Sequence, residues 1–288
     1  ATGTIIFAIG GNLWMTIVGR IITAAGDALV FSALLRYVAA KFDQRRFGLM
    51  SGLSQLSGYI GGALATSPLS ALEMAIGWRG AFTVVFILLC LLVVLAMLSE
   101  RIPRKESFNI LSLRFDMIIF TKDILKKVIF ALRRAPAWGP ALIFAAHFTI
   151  TTTLSSVWGI PLLRDGIGLS QADAVNCIGA YFISMVAGSL VFGILSDQIH
   201  NTRILLIWMM ATRSILLLIL APSLAYQLKL VHIVTVLCIL GAIAGGMVPV
   251  LLICLKQIFD SRFIATASAI NATVAGIMCS VTPPAIAY

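Results

Sequence analysis

The chain has 288 residues, of which 60% are hydrophobic and 11% charged, with a formal net charge of +10. A soluble domain is about 45–50% apolar and about 25% charged, so this composition excludes a water-soluble globular fold and makes lipid the solvent. Backbone polar groups in hydrocarbon need internal partners, and the alternating segments of a membrane barrel are absent. The fold class is therefore all-α, a polytopic helical membrane protein.

A span needs about 20 mainly apolar residues. In chain order, the candidate spans are residues 1–12, 13–39, 47–70, 78–98, 137–161, 174–196, 204–222, 230–256 and 263–288. Both chain ends, Ala1 and Tyr288, fall inside apolar segments, which reads as part of a longer protein. One alternating set of connections carries Lys41, Arg45 and Arg46, then a basic run from Arg101 to Arg134, then Arg203, then Lys256 and Arg262. The opposite set carries only Arg79, Arg164 and Lys229. By the positive-inside rule the first set is cytoplasmic. The long connection 99–136 places Phe120, Ile124, Val128 and Leu132 at four-residue spacing among lysines and arginines. That pattern fits an amphipathic helix on an anionic membrane surface, or a basic linker.

A short internal repeat supports two related halves. FDQRRF at 42–47 parallels FDSRF at 259–263, and TSP at 66–68 parallels TPP at 282–284. The expected organisation is an N-terminal bundle (1–98), a cytoplasmic linker (99–136) and a C-terminal bundle (137–288).

Cys90, Cys177, Cys238, Cys254 and Cys279 all lie in apolar runs without a CxxC, which reads as packing rather than metal or haem ligation. No Walker A sequence is present, nor any nucleophile–base set. No enzymatic activity, cofactor, metal or nucleic-acid partner is expected.

Ionisable groups inside spans are costly and tend to be functional. Asp27 is the one acid well inside a span, seven residues after Arg20, on nearly the same helix face. Arg20 reads as a substrate contact or gate, or as half of a structural pair. Asp27, the deep carboxylate, is the leading proton carrier. His147 lies well inside its span, and imidazole titrates near physiological pH; a packing role is the alternative. Gln55, Asn176, Tyr181 and Asn271 are further polar candidates along a substrate or proton path. Arg213 lies mid-span and is expected to snorkel or to pair structurally. Gly48/Gly52, Gly58/Gly62 and Gly241/Gly245 are i,i+4 pairs that let helices approach closely, for static packing or for sliding.

Residues 193–203 read Gly-Ile-Leu-Ser-Asp-Gln-Ile-His-Asn-Thr-Arg, a short polar turn between two apolar helices. This stretch resembles the cytoplasmic loop signature of the major facilitator superfamily. Arg20 with Gly26, the glycines Gly58, Gly61 and Gly62 followed by Pro68, and Gly77-Trp78-Arg79 are similar to further motifs of that family. The resemblance implies a two-bundle helical fold of which the chain holds about nine of twelve helices, from helix 3 to helix 11. It also implies a conformational motif of Gly193, Asp197, Arg203, Gly58, Gly62 and Pro68, with Asp197 latching onto a neighbouring helix end in one conformation. The implied function is secondary active transport by alternating access: symport of a small anionic metabolite with H+, or antiport exporting hydrophobic compounds. A non-transporting, receptor-like or truncated membrane protein is the alternative of another class. The implied partners are the lipid bilayer, a small-molecule substrate and H+, in a monomer of the bacterial inner (plasma) membrane.

Overall fold

A computed structural model describes residues 1–41, 47–99, 135–199, 201–223, 230–259 and 261–286. The amphipathic segment expected at 120–132 and the repeat at 42–46 lie outside the described residues. The described residues form α1 (Thr2–Ile9), α2 (Leu13–Lys41), α3 (Phe47–Leu64), α4 (Ser67–Ser99), α5 (Ala135–Thr152), α6 (Gln171–Gln198), α7 (Thr202–Ser223), α8 (Leu230–Ile258) and α9 (Ser261–Ile286). Five of these, α4 to α8, are long and apolar enough to cross a membrane.

Local sequence sets the helix boundaries. Asn12 Oδ1 accepts from Met15 N at 2.9 Å and opens α2. Ser170 opens α6: its Oγ accepts from Asp173 N at 3.1 Å and donates to Asp173 Oδ2 at 2.7 Å, a reciprocal cap. The span expected at 47–70 ends earlier, because the chain turns at Ala65–Thr66 and restarts at Ser67 with Pro68 in the first turn. The next break is Gly77, at φ 73° and ψ 164°, which divides α4 before Trp78. Beyond Thr152, α5 widens into a π-helical turn at Thr153–Val157, where Trp158 N bonds to Thr153 O at 2.8 Å. A second π-helical turn follows at Leu162–Gly166.

The chain divides into two compact units, residues 1–33 with 68–126, and residues 34–67 with 127–288. In the second unit the face of α3 seats its glycines on α6: a Cβ on Gly48 would come within 2.6 Å of Gly193 O, and one on Gly52 would overlap Ser189 O. In the first unit, α1 meets α2 where Gly3 faces Thr23 and Gly19 faces Phe7, and Phe7 packs on Trp78 and Phe82.

In the second unit α8 is innermost, with 72% of its apolar window buried, against 6% for α4 of the first unit. α8 packs most extensively on α6, and also on α7, α3 and α5, while α9 lies against α5. Without a hydrophobic drive between helices in lipid, close backbone approach supplies the cohesion. At Gly188, Gly241 and Gly245 a Cβ would overlap backbone atoms of Ala242, Tyr181 and Met185 respectively. The expected small-residue face at Gly241/Gly245 is thus present, and Gly62 meets the Phe182 ring, but Gly58 has open space.

Candidate functional site

Two polar arrangements stand out in the second unit. The first lies at the α6–α3 contact. Asp197, in the last turn of α6, accepts from Gly48 N at 2.8 Å through Oδ1 and from Leu49 N at 3.0 Å through Oδ2. These amides belong to the first turn of α3, whose exposed N–H groups and dipole favour a carboxylate. Gly193 and Ser196 line the same contact; Ser196 Oγ donates to Gly193 O at 2.8 Å. Arg203 is exposed in the first turn of α7 and interacts with Cys254 of α8. Pro68 is exposed at the start of α4.

The second arrangement is buried. Arg213, midway along α7, has 1% of its surface exposed. Its Nη1 donates to His147 Nδ1 at 2.6 Å and lies 3.4 Å from His147 O; its Nη2 donates to Thr151 Oγ1 at 2.8 Å. A guanidinium has donors only, so His147 Nδ1 must accept, and the ring carries its proton on Nε2. Thr151 Oγ1 in turn donates to His147 O at 2.8 Å. The Arg213 charge also acts on Tyr181 of α6 and Tyr59 of α3, and Tyr59 meets Gln55 one turn away. The Tyr181 hydroxyl is fully buried beside Thr151 yet completes no hydrogen bond, and Arg213 Nε likewise has no acceptor.

The structure therefore gathers His147, Tyr181 and, through Tyr59, Gln55 around Arg213. The remaining candidates have other surroundings. Arg20 and Asp27 belong to the first unit and are both exposed; the Arg20 guanidinium lies over the Phe7 ring at 4.4 Å and near the Phe82 ring at 5.8 Å, a cation–π arrangement. No ion pair joins Arg20 to Asp27. Asn176 is exposed and accepts from Ser67 Oγ at 2.7 Å. Asn271 on α9 is buried with its Nδ2 unpartnered, and no hydrogen bond joins it to the Arg213 group.

Of the two arrangements expected of Arg213, snorkelling and structural pairing, the structure shows a side chain with internal partners. The residue lies eleven positions from Thr202 and ten from Ser223, too deep for its head to reach either surface, so it takes internal partners instead. The mid-span position was the available signal. No group of three or more possible metal ligands occurs among the described residues.

The chain matches none of the curated proteins compared with it. A family model described as Major Facilitator Superfamily matches residues 1–283. With its apolar spanning helices and the loop motif seated on α3, the chain is a multi-pass membrane protein that belongs to the major facilitator superfamily, a family of secondary transporters.

Proposed function

We propose that the protein is a proton-coupled importer of a small anionic metabolite, working as a monomer by alternating access in a bacterial inner membrane. The observation that carries the access mechanism is the Asp197 carboxylate on the first turn of α3. By the positive-inside asymmetry that contact lies at the cytoplasmic ends of α3 and α6. Made, it holds those ends together; released, it lets them part. Gly48, Gly52 and Gly193 leave the facing helices smooth enough to separate and close again without threading side chains past one another.

The anionic preference is supported by cations outnumbering acids inside the spans, with Arg20, Arg36 and Arg213 against Asp27. Asp27 supplies a titratable carboxylate for proton coupling. Uptake into proteoliposomes under an imposed inward proton gradient tests the reading. Accumulation of small labelled carboxylates, abolished by a protonophore, is the expected outcome. Extrusion of hydrophobic cations without carboxylate uptake would replace this reading with export.

A further inference from the structure

We infer that Arg213, Tyr181, Thr151 and His147 form a buried binding site for one small monovalent anion, such as a solute carboxylate or a halide. A guanidinium that is 1% exposed has left bulk water, and such a group is stable only when hydrogen-bonded and neutralised. Its partners are an imidazole nitrogen, a backbone carbonyl and a threonine hydroxyl, which bring no negative charge. The three described acids of the second unit are engaged elsewhere. Asp165 pairs with Arg164, Asp173 with Ser170, and Asp197 with the α3 amides. Among the described residues, no carboxylate is a partner of Arg213.

Two buried donors also await an acceptor. Arg213 Nε and the Tyr181 hydroxyl are both unsatisfied, each on a residue with at most 1% exposure. Each lies within electrostatic reach of the other residue. A buried donor without an acceptor is rare and costly. One small anion accepting from both would satisfy the two donors and supply the missing charge. Nη1 and Nη2 are already turned to His147 and Thr151, so the rest of the fork is held still and the Nε–H edge is left for the ligand. The site lies wholly within one compact unit, on α5, α6 and α7. Binding stands on its own; assigning the anion as cargo rests on the uptake reading above.

The test is thermal unfolding of the purified full chain in detergent, titrated with sodium acetate or sodium chloride, with bulky sodium gluconate maintaining ionic strength. The expected result is a saturable rise in Tm with acetate, with chloride, or with both. That rise is absent in Arg213→Met. In Tyr181→Phe, which keeps the ring and the packing, the half-saturating concentration increases roughly tenfold. Size-exclusion and circular dichroism profiles establish that both variants are folded; should Arg213→Met misfold, Tyr181→Phe decides alone. No saturable shift with either anion, or a shift unchanged in Tyr181→Phe, overturns the site. A response to acetate assigns the site to a solute carboxylate, whereas a response to chloride alone assigns it to a resident halide. An intact shift together with failed carboxylate uptake overturns the importer reading and leaves the site standing.

Discussion

Asp197 reaches 149 positions back along the sequence to accept a hydrogen bond from Gly48 N at 2.8 Å. One carboxylate thus serves two amides of α3 with charge-assisted bonds. Asp197→Asn removes the charge and one of the two acceptors. The expected loss is about 1 kcal/mol, typical of a helix N-terminal carboxylate. A sharper readout is available at Ser51, which is 1% exposed on α3 near this contact. In a cysteine-depleted background, Ser51→Cys should react faster with a polar thiol reagent once Asp197 is Asn. Equal labelling rates would show that the contact does not hold the two helix ends together.

The α6–α8 seam gives a paired prediction. A Cβ at Gly245 would overlap the Met185 backbone, whereas Gly58 faces open space. Gly245→Ala should therefore destabilise by about 1–3 kcal/mol through overpacking, while Gly58→Ala should fall within about 0.5 kcal/mol of the parent. Thermal unfolding of both variants in one detergent is the check, and the ranking Gly245→Ala below Gly58→Ala is the result at stake.

At Gly77 the space around the residue is empty, so the backbone alone decides. Its φ of 73° and ψ of 164° lie in a region that side-chain-bearing residues hardly enter. Gly77→Ala should cost about 1–3 kcal/mol, or else straighten α4 through the break before Trp78. Either effect would be visible as a lowered Tm or as altered labelling of a cysteine placed at Ile76.

Much of this architecture can be read from the chain's apolar runs. The polar breaks between them fall close to the observed helix ends, because a backbone in lipid has few alternatives to helix. Asp197 was singled out by another route, the resemblance of residues 193–203 to a family loop motif, and its carboxylate accepts from the α3 amides. Burial within the membrane was not legible. Arg20 and Arg213 are equivalent by hydropathy, yet one stacks on Phe7 and is exposed, while the other is enclosed by His147 and Thr151. Which face a span turns toward its neighbours depends on packing between distant segments, and α7 carries no glycine stripe to announce it. The seating of α3 on α6 is of the same kind, since it joins residues well over a hundred positions apart.

The exposed pair Arg164–Asp165 sets a pH expectation. Arg164 Nε donates to Asp165 Oδ1 at 2.6 Å and Nη2 donates to Oδ2 at 2.8 Å. These hydrogen bonds hold the Asp165 carboxyl below its ordinary value and push the Arg164 guanidinium up. A carboxyl lowered in the folded state contributes above its unfolded value, near about 3.9, and the contribution fades as pH falls through the folded value. The Tm difference between the parent and Asp165→Asn should thus be constant from about pH 8 to about pH 5 and shrink only below about pH 4. A difference that changes between pH 5 and pH 8 would assign the pair a different electrostatic partner.

The His147–Arg213 contact also bears on how the chain is made. A lone arginine at the centre of a nascent segment opposes its entry into the bilayer by about 2.5–3.5 kcal/mol. Synthesis runs from the N-terminus, so α5, carrying His147 and Thr151, leaves the ribosome before α7. The acceptors are already in the membrane when the guanidinium arrives, and α7 enters beside a helix that can solvate its charge. Chain order here is assembly order: transplanting α7 ahead of α5 would leave the same residues with an insertion problem that the native sequence never meets.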